Sequence, residues 1–312
     1  MTLALPPIRH ELKNLLDIAV PLSVAYLAEH AMFITTKMVV GKLGYHELAA
    51  VGIAGGLSFE VLVVLMVMFS VVGVLVARAE GSGRREKSGQ SVRQGIIVAT
   101  MIGIPAMVGI WNLHHLLSVT GQDARVVELA TPYLQGLAGM VLPVLWFAVF
   151  RNFIAALSQT VAVMIITLVA VPLNYLLTLW LVYGGTGLAT TIVSWLMLFA
   201  LIFYIYHKPA LRGYGVFKSR WQFHPGLCRD IFRLGIPVGA LTLFEVGLFM
   251  VASILSSIIS AETLAAYEIV IAWAGIPFVI AFGFAEATMV RVALAAGRNQ
   301  ARAVPARDNW GS

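Results

Sequence analysis

The sequence predicts an all-α, polytopic membrane protein with eight transmembrane helices, forming one six-helix lobe and the first two helices of a second lobe. Hydrophobic residues make up 60% of the 312-residue chain, and mean hydropathy is +0.89. Charged residues make up only 12%, whereas soluble domains carry about 25%. The apolar residues fall in long runs without the alternation of a membrane β-strand. Helices are therefore the spanning elements.

The same composition excludes other classes of protein. So little charge cannot cover a soluble surface, and so many apolar residues exclude intrinsic disorder. Cys228 is the only cysteine, so no intrachain disulfide can form. The net charge of +6 could indicate nucleic-acid binding in a soluble chain. In a membrane protein, the positions of the basic residues relative to the spans instead indicate the orientation of the chain.

Eight apolar stretches are long enough to cross the bilayer, which takes about 20 helical residues. In chain order they are residues 15–40, 48–77, 92–117, 126–149, 153–183, 187–206, 234–258 and 264–290. The fifth is long, and we expect it to begin in the membrane interface. No small-residue cleavage site follows the first stretch, so we expect that helix to be retained rather than removed as a signal peptide.

The positions of the basic residues predict the orientation. If the N-terminus is cytoplasmic, 18 of the 21 lysines and arginines lie in cytoplasmic segments, including Arg151 between the fourth and fifth spans. Only Lys42 and Arg125 lie in outer loops, and Lys37 lies within the first span. This asymmetry predicts that both termini are cytoplasmic in a multi-pass protein of the inner (plasma) membrane.

The two ends of the chain resemble each other at an offset of 216 residues. Over about 65 residues the alignment needs no gap, and three pairs are hard to attribute to apolar composition: Pro21 with Pro237, Glu29 with Glu245, and Gly81 with Gly297. An offset of six helices places both halves in the membrane in the same direction, as parallel repeats. Transporters built from such repeats bind substrate between the halves.

The repeat divides the chain into four segments. Residues 1–207 form the six-helix lobe, 208–233 a cytoplasmic linker, 234–297 the start of the second lobe and 298–312 a polar tail. The counterpart of the third helix should begin near residue 308, where no apolar run follows. By the repeat we expect four further helices, and a frameshift near residue 297 is one explanation of the polar tail.

Several segments carry a family resemblance through their order and spacing. They are Leu16-Asp17-Ile18-Ala19-Val20-Pro21, Gly41-Lys42-Leu43-Gly44, Phe150-Arg151-Asn152-Phe153, Asn174, Ala189-Thr190, Leu234-Gly235-Ile236-Pro237 with Glu245 and Phe249, and Met289-Val290-Arg291-Val292. Together they resemble the multidrug and toxic compound extrusion (MATE) transporters of the NorM-like type, over nearly the whole chain and without a C-terminal part.

The resemblance implies a twelve-helix antiporter that expels cationic or amphipathic drugs in exchange for Na⁺ or H⁺. Three departures from the family stand out. Thr36 occupies the position of an N-lobe aspartate, the hairpin at residues 183–186 is shortened, and helices nine to twelve are absent. The Thr36 change leaves the family's N-lobe cation site without its usual carboxylate.

Two acidic residues are the main candidates for a cation or proton site, because a carboxylate at mid-membrane costs roughly 2.5–3.5 kcal/mol and is functional by default. Glu245 lies near the middle of the seventh span and matches a family acid position. Glu29 is its repeat mate, and Thr36 follows two helical turns later on the same face. Glu29 is therefore a candidate replacement for the missing acid. A structural hydrogen bond between helices is the alternative for both glutamates.

Other polar residues within the spans are secondary candidates. Glu60 and Asn174, which follows Pro172, are expected to line the substrate cleft, with a helix-packing hydrogen bond as the alternative for Asn174. Glu286 is five residues from Arg291, so we expect it near the cytoplasmic surface. Arg151 is expected to be a positive-inside anchor. Lys37 is expected to snorkel to the outer interface.

No residue pattern indicates an enzyme, a metal site or a cofactor other than the coupling ion. The adjacent His114 and His115 lack helical metal-pair spacing, and no HExxH or Walker-type motif occurs. We expect the partners to be small organic cations or drugs, Na⁺ or H⁺ and the bilayer, without nucleic acid. A lipid-linked-oligosaccharide flippase is one alternative, which would need several cations in the cleft where only Lys37 is available. A non-transporting remnant is another, and dimerisation is left open.

Overall fold

The computed structural model describes residues 8–119, 124–181, 186–217, 221–259 and 261–303, and every regular element in these ranges is a helix. The helices are α1 (Ile8–Gly41), α2 (Tyr45–Met68), α3 (Ser70–Gly81), α4 (Arg85–Trp111), α5 (Leu113–Val119), α6 (Ala124–Ala138), α7 (Val141–Ala156), α8 (Val161–Trp180), α9 (Thr186–His207), α10 (Pro209–Arg212), α11 (Pro225–Ile259) and α12 (Ala261–Ala303).

Seven segments among the described residues are long and apolar enough to cross a membrane, and a bent pair supplies the eighth. The pair consists of α6 and α7, which meet at an angle of 44° and together form the fourth span. The second span runs through α2 and α3, which are separated only at Phe69. The predicted all-α fold with eight spans is confirmed.

Several predicted boundaries are wrong, and the starts of the fifth and third spans show the physical reason. The fifth span begins at Val161 rather than at residue 153, because residues 153–156 are the buried end of α7 and the chain then turns at Ser158, whose φ is 57°. The third span begins at Arg85 rather than at Val92. The polar turn before Val92 is helical and packs inward, with Ser88 fully buried.

The repeat has a direct structural counterpart in the crossing of α3 and α12. A methyl group on Gly81 would collide with the backbone of Leu294 and Arg298, and one on Gly297 would collide with the backbone of Arg78. Leu294 and Arg78 are themselves 216 residues apart. The crossing is therefore reciprocal, as expected for two repeats related by an approximate twofold axis, and only glycine allows backbones to approach so closely.

Helix α1 connects the two ends of the chain. It packs most extensively against α12 and α8, while α3 packs against α12, α4 and α7. Large apolar side chains on α8, α9 and α11 point outward, including Trp180, Phe203 and Phe244, as expected for surfaces in contact with lipid. Polar groups buried between α1, α7, α8 and α12 therefore lie within the apolar body of the protein.

The segments predicted as linker and tail contain helical structure. Helix α10 and the first two turns of α11 lie within residues 208–233, and α12 continues past residue 297 to Ala303. Residues 304–312 of the predicted tail lie outside the described residues, as do residues 182–185 of the hairpin between the fifth and sixth spans.

Candidate functional site

Four polar side chains from three helices meet inside the apolar body, and we call them the buried ionic cluster. Helix α1 supplies Tyr26 and Glu29, α7 supplies Arg151, and α12 supplies Glu286. Tyr26 and Glu29 share a face of α1 because residues three apart are neighbours on a helix surface. The cluster thus links the first, fourth and eighth spans.

Arg151 and Glu29 form a buried ion pair. Nη1 of Arg151 donates to both carboxylate oxygens of Glu29, at 2.8 and 3.2 Å. The Arg151 side chain is 3% exposed and that of Glu29 is 21% exposed. A charge-assisted hydrogen bond of this kind is among the stronger polar contacts in proteins, and it pairs two groups whose charges would each be costly alone at this depth.

Tyr26 connects this pair to Glu286. The Tyr26 hydroxyl donates to Oε2 of Glu286, and Cζ of Arg151 lies 4.5 Å from the centre of the Tyr26 ring. The Phe282 ring, one turn before Glu286, packs edge to face with the Tyr26 ring, and the two ring centres are 5.1 Å apart. Tyr26 is therefore held between a cation over its face and a carboxyl at its hydroxyl.

Buried polar atoms without a hydrogen-bond partner occur in and beside the cluster. Oε1 of Glu286 and Nε of Arg151 are buried and have no hydrogen-bond partner among the described residues. Oδ1 of the adjacent Asn152 is in the same condition, while its Nδ2 donates to the carbonyl of Ala148. Buried polar atoms are rarely left unpaired, so Oε1 of Glu286, the unpaired acceptor of the cluster, marks a place where a proton fits.

The structure corrects two expectations about this cluster. The prediction that Arg151 is a surface anchor is wrong, because the residue is 2% exposed and paired with Glu29. The prediction that Glu286 lies near the cytoplasmic surface is also wrong, because Glu286 is 4% exposed and at the middle of the span Trp273–Arg298. A charged residue inside the apolar run at residues 141–156 was the available signal for Arg151.

A second, uncharged polar site lies where α1 meets α8. The Thr36 hydroxyl is 3.2 Å from Oδ1 of Asn174 and 3.0 Å from the carbonyl of Met32, so it donates to one of them at a time. Nδ2 of Asn174 and the hydroxyl of Thr178 are buried without a partner in the described part of the chain. The structure thus brings together two residues that the sequence singled out separately. Helix α8 continues through Pro172 without ending.

Glu29 does not reach this second site. Thr36 is seven residues further along α1, about 10 Å at 1.5 Å per residue, and the Glu29 carboxylate is engaged by Arg151. The Thr36 site therefore has no carboxylate from Glu29. Across the described residues, no group of three or more His, Cys, Asp or Glu side chains is arranged to hold a metal ion.

The other candidate residues have different surroundings. Glu245 is on the exposed face of α11, beside the exposed Phe244. Glu60 is half-buried on α2. The Lys37 ammonium lies 4.4 Å from the centre of the Phe33 ring, so part of its charge is stabilised by a cation–π contact.

Comparisons with known proteins agree on one family. The MatE family matches residues 21–180. The chain is 32% identical over 301 residues to the "Probable multidrug resistance protein NorM" of Synechococcus sp., covering 93% of this chain and 65% of that protein. It is 31% identical over 304 residues to the "Probable multidrug resistance protein NorM" of Bradyrhizobium diazoefficiens, covering 94% of this chain and 65% of that protein. The chain thus spans about two thirds of the length of these relatives.

A solved structure has the same fold. The crystal structure of the eukaryotic MATE transporter AtDTX14 superimposes with a TM-score of 0.86 at 22% sequence identity, covering 94% of this chain and 68% of that one. The helical arrangement described above is therefore the fold of that structure over most of this chain.

Proposed function

The chain belongs to the MatE family, and from this premise we propose that it acts as a cation-coupled multidrug antiporter. It exports amphipathic or cationic organic compounds in exchange for Na⁺ or H⁺. The observation that carries the proposal is the buried ionic cluster, because ionisable groups at membrane depth are costly and mark ion or substrate pathways. The names of the relatives support the substrate class.

The cluster suggests how an ion would act on the protein. Its members come from α1 and α7 in the first repeat and from α12 in the second. A change of charge in the cluster therefore changes the contact between the two repeats, which is where parallel-repeat transporters move. An ion shifts a conformational equilibrium only through different affinity for the two states, and a contact across the repeats provides that difference.

We assign the remaining candidates supporting roles. The exposed Glu245 is the repeat mate of Glu29. By the same 216-residue offset, the residue equivalent to Arg151 in the second repeat would have number 367, which is outside the 312 residues of this sequence. Glu245 would therefore serve as an ion site of the second repeat. Thr36 and Asn174 would contribute neutral ion ligands, and Glu60 would line the cleft and attract organic cations.

The proposed setting follows the distribution of basic residues. The protein would lie in the inner (plasma) membrane with both termini cytoplasmic, and would export from that side. The positive-inside pattern supports this orientation.

Transport in proteoliposomes tests the proposal. The full chain is reconstituted, loaded with a fluorescent organic cation, and given a Na⁺ or H⁺ gradient. We expect gradient-dependent cation movement that is lost in Glu29→Gln and Glu245→Gln. The matched control is Glu128→Gln, since Glu128 is an exposed glutamate of α6 outside both sites. Movement that ignores both gradients, or equal rates in all four proteins, would contradict the antiporter.

A further inference from the structure

The buried ionic cluster has an unbalanced charge. It contains two carboxyl groups, Glu29 and Glu286, and one guanidinium, Arg151, while Tyr26 is neutral. If both carboxyl groups were ionised, the cluster would carry a net charge of −1 in the middle of the membrane. A buried charge persists only when it is paired, so the cluster requires one more positive charge.

Among the described residues, the ionisable groups that act on Glu286 are all members of this cluster. Arg151 and Glu29 act through their charges, and Tyr26 through its hydrogen bond. On the same helix, Arg291 is engaged by Glu11. The charged side chains of α11, namely Arg229, Asp230, Arg233 and Glu245, are exposed.

The charged residues of α3, which also packs on α12, are remote. The backbone of Arg78 contacts α12 at Gly297. Gly297 is eleven residues after Glu286, which is about 16 Å along the axis of α12. Glu80 is engaged in the cytoplasmic region, where burial and its hydrogen bond raise the pKa of Tyr214 to about 12. The compensating positive charge at Glu286 therefore does not come from α3.

A proton fits this place better than a metal cation. Hard metal cations take six or more oxygen ligands, whereas the cluster offers one unpaired carboxyl oxygen, Oε1 of Glu286. The Arg151 guanidinium lies against the Tyr26 ring whose hydroxyl binds Glu286, so it would repel a second cation. A proton needs one oxygen and leaves a neutral carboxyl group.

Of the two carboxyl groups, Glu286 is the one suited to hold the proton. Glu29 receives two contacts from a guanidinium and is one-fifth exposed, so it already has a cationic partner. Glu286 is almost fully buried and receives its hydrogen bond from a neutral hydroxyl. Desolvation disfavours the charged form of a carboxyl group that lacks a cation of its own.

We propose that Glu286 is a proton-exchange site, protonated while α12 is packed against α1 and α7 and deprotonated when α12 separates from them. The inference deepens the proposed function, on which it rests, by naming the proton as the coupling ion. In the step, one proton adds to a carboxylate oxygen of Glu286 and no covalent bond breaks. The opposite step releases that proton to water.

The packing of α12 on α1 explains why protonation and separation are linked. A methyl group at Gly283 would lie 2.8 Å from the backbone nitrogen of Ser23, and one at Gly275 would lie 2.7 Å from the His30 ring. The Ser23 hydroxyl donates to the carbonyl of Ile280 at 3.0 Å. Such a close seam excludes water from Glu286. Once the proton leaves, the charged carboxylate gains by hydration, which requires the seam to open.

Infrared spectroscopy of the purified full chain, titrated with pH, tests the site without requiring transport. A protonated carboxyl group has a carbonyl stretching band distinct from that of a carboxylate. We expect the wild-type protein to show such a band at neutral pH, and Glu286→Gln to lack it. Glu128→Gln is the control that keeps it. A band that persists in Glu286→Gln, or that Na⁺ removes at constant pH, would overturn the proposal.

Two further variants keep the test decisive if Glu286→Gln does not fold. In Glu29→Gln, Arg151 has only Glu286 to pair with, so the band should titrate away at a pH at least one unit lower. In Tyr26→Phe the hydrogen bond to the carboxyl group is lost, so the band should move to higher frequency. Unchanged bands in both variants would overturn the proposal. Loss of transport with the bands intact would instead count against the proposed antiport.

Discussion

The crossing of α3 and α12 permits a quantitative test through Gly297→Ala. The added methyl group would lie 3.0 Å from both the carbonyl carbon and Cα of Arg78, and closer still to the carbonyl oxygen. These are backbone atoms, so they cannot turn aside as a flexible side chain would. Because carbon atoms pack at about 3.5–4.0 Å, the two helices must part by on the order of 1 Å.

Overpacking of this kind costs about 1–3 kcal/mol of unfolding free energy. Gly109→Ala is the matched control, since a methyl group there meets nothing within 4 Å and Gly109 is also within a helix. The control should be neutral, or more stable than wild type by up to about 1 kcal/mol through helix propensity. Unfolding by sodium dodecyl sulfate titration in mixed micelles measures both.

The reciprocal geometry adds a stricter requirement. Gly81→Ala should cost a similar amount, because it meets the backbone of Leu294 and Arg298 in the same crossing. The double variant should cost less than the sum, because one separation of the helices relieves both collisions. Stability of Gly297→Ala within about 0.5 kcal/mol of the control would refute the argument that these glycines are required by backbone approach.

Three further outcomes are expected. Arg151→Met leaves the Glu29 carboxylate buried and unpaired and should cost about 3–5 kcal/mol of unfolding free energy, while adding Glu29→Met should recover part of it; equal stability of the single and double variants would contradict the buried pair. Thr36→Val should cost about 0.5–1.5 kcal/mol, whereas Thr36→Ser, which keeps the hydroxyl, should cost less; a reversed order would exclude the hydrogen bond. In a cysteine-free background, Lys42→Cys should react with an impermeant maleimide in intact cells and Arg212→Cys only after permeabilisation; the opposite pattern would invert the topology.

Much of the fold was predictable because spanning is decided locally. A run of about 20 apolar residues must cross the bilayer as a helix whatever its neighbours are, so eight spans follow from hydropathy alone. The 216-residue offset was equally visible, and its Gly81–Gly297 pair lies where α3 and α12 cross. Boundaries were less predictable. The helical turn before Val92 is polar in sequence, and only burial against other helices shows that it belongs to α4.

The site was predictable only in part. Glu29, Thr36 and Asn174 were candidates because each is polar within an apolar run, but the sequence paired Glu29 with Thr36. Helical periodicity says which residues share a face, and it does not say which helix covers that face. Helix α7 brings Arg151 to Glu29 and α8 brings Asn174 to Thr36, so one face of α1 carries two separate sites.

The sequence by itself determined that this chain is a helical protein with seven or eight membrane-spanning segments, and it predicted that the two ends are repeats, since these inferences use only local composition and comparison of the chain with itself. The tertiary structure alone decided which polar residues meet. Glu286 lies at mid-span because α12 runs on to Ala303, and it meets Tyr26 because glycines let α12 approach α1 closely. Contacts between residues 260 positions apart depend on how helices pack, and no local pattern encodes that distance.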